Sequence, residues 1–542
     1  MAIQGQTTIP KTAAQYVVEQ LAAWGCQRIY GVAGDATLYL MDVIARQDRV
    51  QYVGCRLETT AALMASAEAK LTGQLAVCTA TSGPGIAGLL NGLGDAWQDK
   101  ARVLAITGQV ERKKIGTGTK QEIDQQLLIQ PLAIHSTLVA DARPLPVQLN
   151  RAMRRAYSRG GVAHLSIPKE VWMEPVNAPL YPLFPEQLLP QPVQGQLDGA
   201  LRLLNGSSRP IILAGRGVKG AEPNLLAVAE KLNAPIMTTL PARSSVPNDH
   251  PLFVGGLGQA GSEIASDLLK EADCCLVLGA TWWPSDYVPE GIPIVQLDID
   301  PAAIGETVPV AAPVVGEMRV VLPRLIEGIL CKEKVEWSRQ VQSLKQQWTA
   351  RIEQETAVDV VPIPPQRVIA ALSRCVHPDA VITLDVGDHV LWFNRIFQAS
   401  RQEILVSGRW RTLGFGLPAA MAAQLAHPER QVVALVGDGG FGNTLVDLAT
   451  AVVYQLPLTI VVMNNGSFAM EQNRMVQAGL STLGTQLSNP DFVKMAEAFG
   501  AEGYRVEEPS QLEPALTAAL ASNRVSLVDV VCDDPIVPHT KI

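Results

Sequence analysis

The chain is predicted to be α/β, built as three successive doubly wound domains, each a parallel sheet with helices on both faces. Three observations support this. Its 542 residues exceed what one hydrophobic core normally serves. Short apolar runs ending in Gly, Pro or Asp alternate with stretches of helical periodicity, the pattern of parallel strands joined by crossover helices. A proline-rich segment and a polar segment interrupt this alternation, setting expected domains at residues 1–175, 193–330 and 362–542, with a linker at 176–192 and a connector at 331–361.

In the first domain, Ala13 to Trp24 is a helix candidate and Ile29 to Asp35 a strand running into a glycine turn. Glu58 to Leu71 is an alanine-rich helix able to pack closely, and Leu75 to Thr79 is a strand before the turn Thr81–Gly85. Val103–Thr107 and Ala163–Ile167 are further strands, ending at Gly108 and Pro168. The prolines between Pro175 and Pro192 predict an extended strap.

The second domain places Arg209–Ala214 before Gly215-Arg216-Gly217, Cys274–Leu278 before Gly279, and Ile294–Asp298 before Asp300-Pro301. Gly-x-Gly alone is more often a turn than a nucleotide site. An acid after a later strand could accept a ribose hydrogen bond, although the full dinucleotide fingerprint is absent. Lys332 to Glu355 reads as a surface helix. The third domain follows with strands Ala380–Asp385, Gln431–Val436, Leu458–Met463 and Val525–Val531, and a small-residue helix from Gly414 to Leu425. No internal repeat is visible.

Hydrophobic residues make up 47% and charged residues 18%, which is globular composition, and the formal charge of -8 gives no reason to expect nucleic acid or an acidic membrane as partner. The eight cysteines contain no Cys-x-x-Cys pair, and Cys274-Cys275 read as buried thiols. Reduced, cytoplasmic conditions are expected, with no transmembrane segment and no secretion signal.

The stretch from Val436 to Asn465 carries the most chemistry. Two parallel strands joined by a helix between Leu445 and Tyr454 would bring Asp438 and Asn465 to one edge of a sheet, where open α/β folds bind ligands. A carboxylate and an amide oxygen there suit magnesium, which normally also carries phosphate oxygens. Gly437, Gly439 and Gly440 would let a diphosphate approach the backbone. An ordinary turn that uses Gly and Asp is the competing reading.

Those same residues, opening with Gly-Asp-Gly and closing with Asn464-Asn465, resemble the diphosphate-binding motif of thiamine diphosphate enzymes. Gly31–Asp35, Arg56–Glu58, Gly83–Gly85, Gly118–Glu122, Gly215–Gly217 and Asp385–His389 extend the resemblance over nearly the whole chain, to the pyruvate oxidase and acetolactate synthase branch, nearest pyruvate oxidase. The resemblance implies three domains of the thiamine diphosphate enzyme type. The first would bind the aminopyrimidine, the second a flavin, and the third the diphosphate with Mg2+. Asp438, Asn465 and the Ser467 carbonyl would be metal ligands.

The resemblance also implies Glu58 as the carboxylate that hydrogen-bonds the pyrimidine nitrogen, where the residues alone favour a helix-dipole charge. Gln121 and Glu471 would act near substrate. Ala33, Gly34, Gly387, Asp388, His389, Leu413 and Gly414 would surround the cofactor, with Leu413 holding its bent shape. For FAD the implied set is Gly215, Arg216, Gly217, Thr239, Leu240, Gly258, Gly279, Thr281, Asp298 and Ile299, and Trp282-Trp283 resembles the oxidase version more than the synthase version.

The implied activity is oxidative decarboxylation of a small 2-oxo acid, pyruvate first, to acetate or acetyl phosphate, with electrons passing through flavin to an acceptor the sequence does not identify. Non-oxidative carboligation to acetolactate and a noncatalytic scaffold are the alternatives. The active site would span two subunits of a homodimer or homotetramer. Leu57, Gly88 and Lys120 depart from the family pattern, and the interval from Asn465 to Glu471 is about three residues shorter than in oxidases. Oxidase relatives often run past a point equivalent to Ile542, with a segment that covers the site or, in the quinone-linked type, binds membrane; a sequence that stops there, natively or by truncation, weakens the expectation of membrane association.

Overall fold

The computed structural model describes residues 11–183, 190–280, 287–331 and 334–538. They form three α/β domains, each with a six-stranded sheet that is parallel throughout.

Side by side, the first sheet runs Gln51–Gly54, Arg28–Gly31, Ala76–Ala80, Val103–Gln109, Val162–Pro168, His135–Leu138. The third runs Glu403–Val406, Val381–Leu384, Val432–Gly437, Leu458–Asn464, Ser526–Val531, Glu502–Val506. Numbered along the chain, both read 2-1-3-4-6-5, so these domains repeat one topology that no local sequence similarity betrays. The middle sheet runs Phe253–Gly256, Ile236–Thr238, Pro210–Ala214, Cys274–Leu278, Ile294–Asp298, Ala312–Val315. Its order, 3-2-1-4-5-6, is that of dinucleotide-binding sheets, with the reversal at Ala214 and Leu278.

The central strands are buried and almost wholly apolar, as Val432–Val436 and, Thr459 apart, Leu458–Met463 illustrate, because helices cover both faces. The first and third domains share one core. The alanine-rich helix Glu58–Thr72 packs on Gly416–Ala426, where small side chains allow close approach of the backbones. Lys70, almost fully buried, bridges Asp95 at 2.7 Å and Asp99 at 2.6 Å, while Asp99 accepts the amide of Gly408 at 2.9 Å, so a compensated charge cluster pins the joint.

The strap after the first sheet begins as a two-residue strand, Pro175–Val176, antiparallel to Lys11–Thr12. It then crosses the helix Ala13–Ala23, whose Tyr16, Gln20 and Trp24 donate to the carbonyls of Pro179 and Tyr181. Residues 332 and 333 lie outside the described chain, and the connector appears as the 22-residue helix Val335–Thr356. One local expectation fails. The glycine-rich run after Gly437, read as a turn before a helix at Leu445, is itself helical over Asp438–Thr444, followed by a 3-10 turn at Leu445–Asp447 and a second helix at Leu448–Val453. Asp438 accepts the amide of Gly439, and packing against Phe468 and Asp385 makes up for the poor helix propensity of glycine.

Candidate functional site

The site is built at the carboxyl edge of the third sheet, where Val432–Gly437 and Leu458–Asn464 lie paired and parallel with Gly437 opposite Met463. Asp438 follows the first strand and is 3% exposed. Its Oδ1 accepts the Gly439 amide at 2.9 Å, and its Oδ2 accepts the Gly466 amide at 2.8 Å and the Asn489 side chain at 2.7 Å. Burial raises its pKa against those hydrogen bonds. Among the described residues no Lys, Arg or His forms an ion pair with it.

Across the edge, Asn465 Oδ1 accepts the Ser467 amide at 3.1 Å. Asp438 and Asn465 are thus tied into one loop, because the Gly466 amide that holds Asp438 lies between Asn465 and Ser467. Gly439 abuts the Phe468 ring with no room for a Cβ, and a Cβ on Gly440 would lie 2.9 Å from an Asp385 carboxylate oxygen.

The neighbouring strand, Val381–Leu384, delivers Asp385, Gly387, Asp388 and His389 to the same edge. Asp385 accepts the amides of Val386 at 2.6 Å and Gly414 at 2.9 Å, which fixes the loop carrying Leu413, and burial pushes its pKa up to about 6. Gly414 itself takes φ +82°, and Leu413 stays partly exposed beside it. Asp388 receives Trp392 Nε1 at 2.8 Å and is pushed up to about 7 by burial, with Asp534 adding to the shift. The buried His389 ring rests on Gly437 and Gly387, where added Cβ atoms would meet it at 3.1 and 2.8 Å. Burial lowers its pKa to about 4, and its Nε2 has no partner among the described residues.

The predicted residues of the first domain gather round one turn and the helix Pro84–Gln98. Gly34 packs on Thr81, Gln121 backs onto Gly83, and the Glu58 carboxylate lies over Gly88, where a Cβ would come within 3.0 Å of Oε2. Gln121 holds φ +65°, a left-handed conformation costly for a side-chain-bearing residue. Ala33 is exposed. Arg56, two residues before Glu58, donates its amide to the buried Asp447 of the third domain at 2.7 Å, so the start of the Glu58 helix is tied to the Gly-Asp-Gly segment. Glu471, on Ala469–Gln477, is exposed and pairs with Arg474 at 3.0 Å, as a surface helix charge does.

In the middle domain, Gly215 and Gly217 press against Gly279, and a Cβ on Gly217 would lie 2.6 Å from Gly279 Cα. Their lack of side chains is therefore used in backbone packing at the topological reversal. Arg216 donates to the Asp99 carbonyl at 2.6 Å, which ties it to the first domain. Thr239 and Leu240 leave the strand Ile236–Thr238, Gly258 holds φ +112° with open space where a Cβ would sit, and Ile299 is 54% exposed. Asp298 is buried with its pKa raised by desolvation, and among the described residues neither its Oδ2 nor Thr238 Oγ1 has a partner. Thr281, Trp282 and Trp283 lie outside the described residues.

The donor set accommodates a hard cation. A buried carboxylate without a cation is costly, and Asp438 retains lone pairs beside an amide oxygen and a backbone carbonyl. Among the described residues no three His, Cys, Asp or Glu side chains form a metal-holding group, so a cation here would draw its remaining ligands from a bound phosphate. The orphaned His389 Nε2 and the glycine floor beside it suit such an anion.

Sequence reasoning missed Asn489, which bridges Asp438 and Asn464 Oδ1, the latter at 2.9 Å. It also missed the part played by Asp534, which accepts Ser467 Oγ at 3.1 Å. Asn489 stands two residues before Asp491, the N-cap of Phe492–Phe499, so its surroundings signal only a helix start.

Two outer domains of identical topology, with a Gly-Asp-Gly to Asn-Asn segment at the sheet edge of one, fit the thiamine diphosphate enzyme class. Family models bear this out: the thiamine pyrophosphate enzyme N-terminal TPP binding domain matches residues 11–128, the central domain 197–325 and the C-terminal TPP binding domain 385–530. The chain belongs to this family. It is 40% identical over 527 residues to the Bacillus subtilis (strain 168) protein YdaP, which is described provisionally as thiamine pyrophosphate-containing, covering 96% of this chain and 92% of that one. It is 31% identical over 552 residues to the acetolactate synthase isozyme 3 large subunit of Escherichia coli (strain K12), covering 96% and 95%. It is 30% identical over 556 residues to the pyruvate oxidase of Lactiplantibacillus plantarum, covering 99% and 91%. No described helix is long and apolar enough to cross a membrane.

Proposed function

We propose that this enzyme oxidatively decarboxylates a small 2-oxo acid, pyruvate first, with thiamine diphosphate and Mg2+ held by the outer domains and FAD by the middle one. The observation that supports a flavin is the middle sheet: it has the dinucleotide order, and among the described residues nothing partners the buried Asp298 Oδ2 and Thr238 Oγ1 at the carboxyl ends of its strands. Thr239, Leu240, Gly258 and Asp298 belong to the set of residues that the resemblance implies for the flavin.

In this reading Asp438, Asn465 and the Ser467 carbonyl hold the metal, and His389 and the glycines at 387, 437, 439 and 440 face the diphosphate. Leu413 supports the cofactor's bend, and Asp385 fixes the Leu413 loop through the Gly414 amide. When bound, thiamine diphosphate supplies the carbon nucleophile and the electron sink for decarboxylation. Glu58 holds and exchanges the proton at the pyrimidine nitrogen. Glu58 lies on its own domain's Gly88, and the family resemblance supports a full site formed where the first domain of one subunit faces the third domain of another, in a homodimer or homotetramer. That apposition would exclude water from the reacting carbon.

Carboligation to acetolactate is the second reading, supported by the likeness to acetolactate synthases. The purified protein's visible spectrum, followed by anaerobic addition of thiamine diphosphate, Mg2+ and pyruvate, tests both. Bleaching of a flavin band with acetate or acetyl phosphate formed is the expected outcome. Acetolactate formed without bleaching would overturn the oxidase reading in favour of carboligation.

A further inference from the structure

We infer that Asp534 is a positioning residue that keeps the Asn465 side-chain oxygen available to the metal, an inference that rests on the cofactor reading above. The Ser467 hydroxyl lies between two acceptors. Asp534 Oδ2 is 3.1 Å away and Asn465 Oδ1 is 3.4 Å away. A hydroxyl has one proton to give, and a carboxylate takes it in preference to an amide oxygen. With the proton committed to Asp534, Asn465 Oδ1 accepts only the Ser467 amide and retains a lone pair for a cation. Without Asp534, the same hydroxyl would turn to Asn465 and compete with the metal for that oxygen.

The carboxylate is well anchored for this task. Gln472 Nε2 donates to Asp534 Oδ2 at 2.8 Å, and Asn473 Nδ2 donates to the Asp534 carbonyl at 3.2 Å, so the helix after the loop holds it from the far side. The segment itself continues the strand Ser526–Val531, with the Cys532 amide on the Asn464 carbonyl at 3.1 Å. The acid that steers Ser467 is therefore delivered from the strand beside the one that ends in Asn464 and Asn465, 67 residues after Ser467 along the chain.

The test is calorimetric titration of the full-length protein with Mg2+ at fixed excess thiamine diphosphate, which reads metal affinity without turnover. Asp534→Ala should raise the half-saturating Mg2+ concentration about fivefold, the scale of one hydrogen bond. Asp534→Asn, which can still accept the hydroxyl, should recover part of that loss. The decisive comparison is the Ser467→Ala background: with no hydroxyl to misdirect, Asp534→Ala should change Mg2+ affinity by less than about twofold. Equal losses in both backgrounds, or no loss in either, would overturn the inference while leaving the cofactor reading intact. Absence of Mg2+-dependent cofactor uptake in the unaltered protein would overturn both.

Discussion

Asp438 and Asn489 are joined at 2.7 Å by a hydrogen bond from the amide to the carboxylate, and the same amide nitrogen lies 2.9 Å from Asn464 Oδ1. One side chain thus holds the ends of two adjacent strands at the spacing that any shared ligand meets. Asn489→Ala should leave the buried Asp438 and the half-buried Asn464 oxygen each short of a donor, at a cost of about 1–3 kcal/mol. Chemical denaturation of the cofactor-free protein measures this, and calorimetry should show weaker Mg2+-dependent uptake of thiamine diphosphate. Unchanged stability together with unchanged uptake would show that Asn489 does not organise the edge.

The contact of Glu58 with Gly88 gives a second prediction. Glu58→Gln keeps the shape but removes the exchangeable proton, so turnover should fall about 10²- to 10⁴-fold while cofactor uptake persists. Gly88→Ala is the subtler variant. Its Cβ would sit 3.0 Å from both Glu58 Cβ and Oε2, so the carboxylate must move by a few tenths of an ångström. Turnover should drop about tenfold, since catalysis is sensitive to displacements of this size. Full activity in Glu58→Gln would remove this carboxylate from the mechanism.

Asp388 and His389 are neighbours whose burial acts on stability in opposite directions. Asp388 is raised to about 7 from an unfolded value of about 3.9. Its contribution is full below the unfolded value and is lost as pH rises toward 7. His389 is depressed to about 4 from about 6.5, so its contribution is full above 6.5 and is lost as pH falls toward 4. Between about pH 4 and 6.5 the two slopes oppose each other. In the cofactor-free protein, Asp388→Asn should make the melting temperature climb more steeply with pH over that window, and His389→Gln should make it climb less. The same change of slope in both variants would contradict these assignments.

The sheets were legible in the sequence because a strand covered on both faces is nearly continuously apolar, as Val432–Val436 is and as Leu458–Met463 is apart from Thr459. The order of the strands was not. Hydrophobic periodicity records which face is buried and not which strand lies alongside, so the shared topology of the outer domains emerges only in space. The helix Asp438–Thr444 was hidden because its glycines oppose helix formation locally, while contacts with Phe468 and Asp385, far along the chain, favour it. Asn489 and Asp534 stayed invisible for a related reason: Asn489 meets Asp438 across 51 residues of chain and Asp534 meets Ser467 across 67. Glu471 shows the reverse. Its acidic character fits a catalytic role, yet within the single chain its neighbour is Arg474 and its surroundings are solvent.

The middle domain supports the last prediction. Gly215, Gly217 and Gly279 are occupied in packing against one another, so they do not by themselves mark a ligand. Asp298 differs, because its buried Oδ2 has no donor among the described residues, and a ribose hydroxyl would supply one. Asp298→Ala should therefore release FAD, seen as loss of the visible flavin band on gel filtration, and should abolish electron transfer from pyruvate. Calorimetric uptake of thiamine diphosphate with Mg2+ should stay within about twofold, because the variant lies in a different domain from the diphosphate edge. A variant that keeps its full flavin band would show that Asp298 is not the ribose acceptor. A variant that loses both cofactors together would show that the middle domain instead supports the fold of the whole chain.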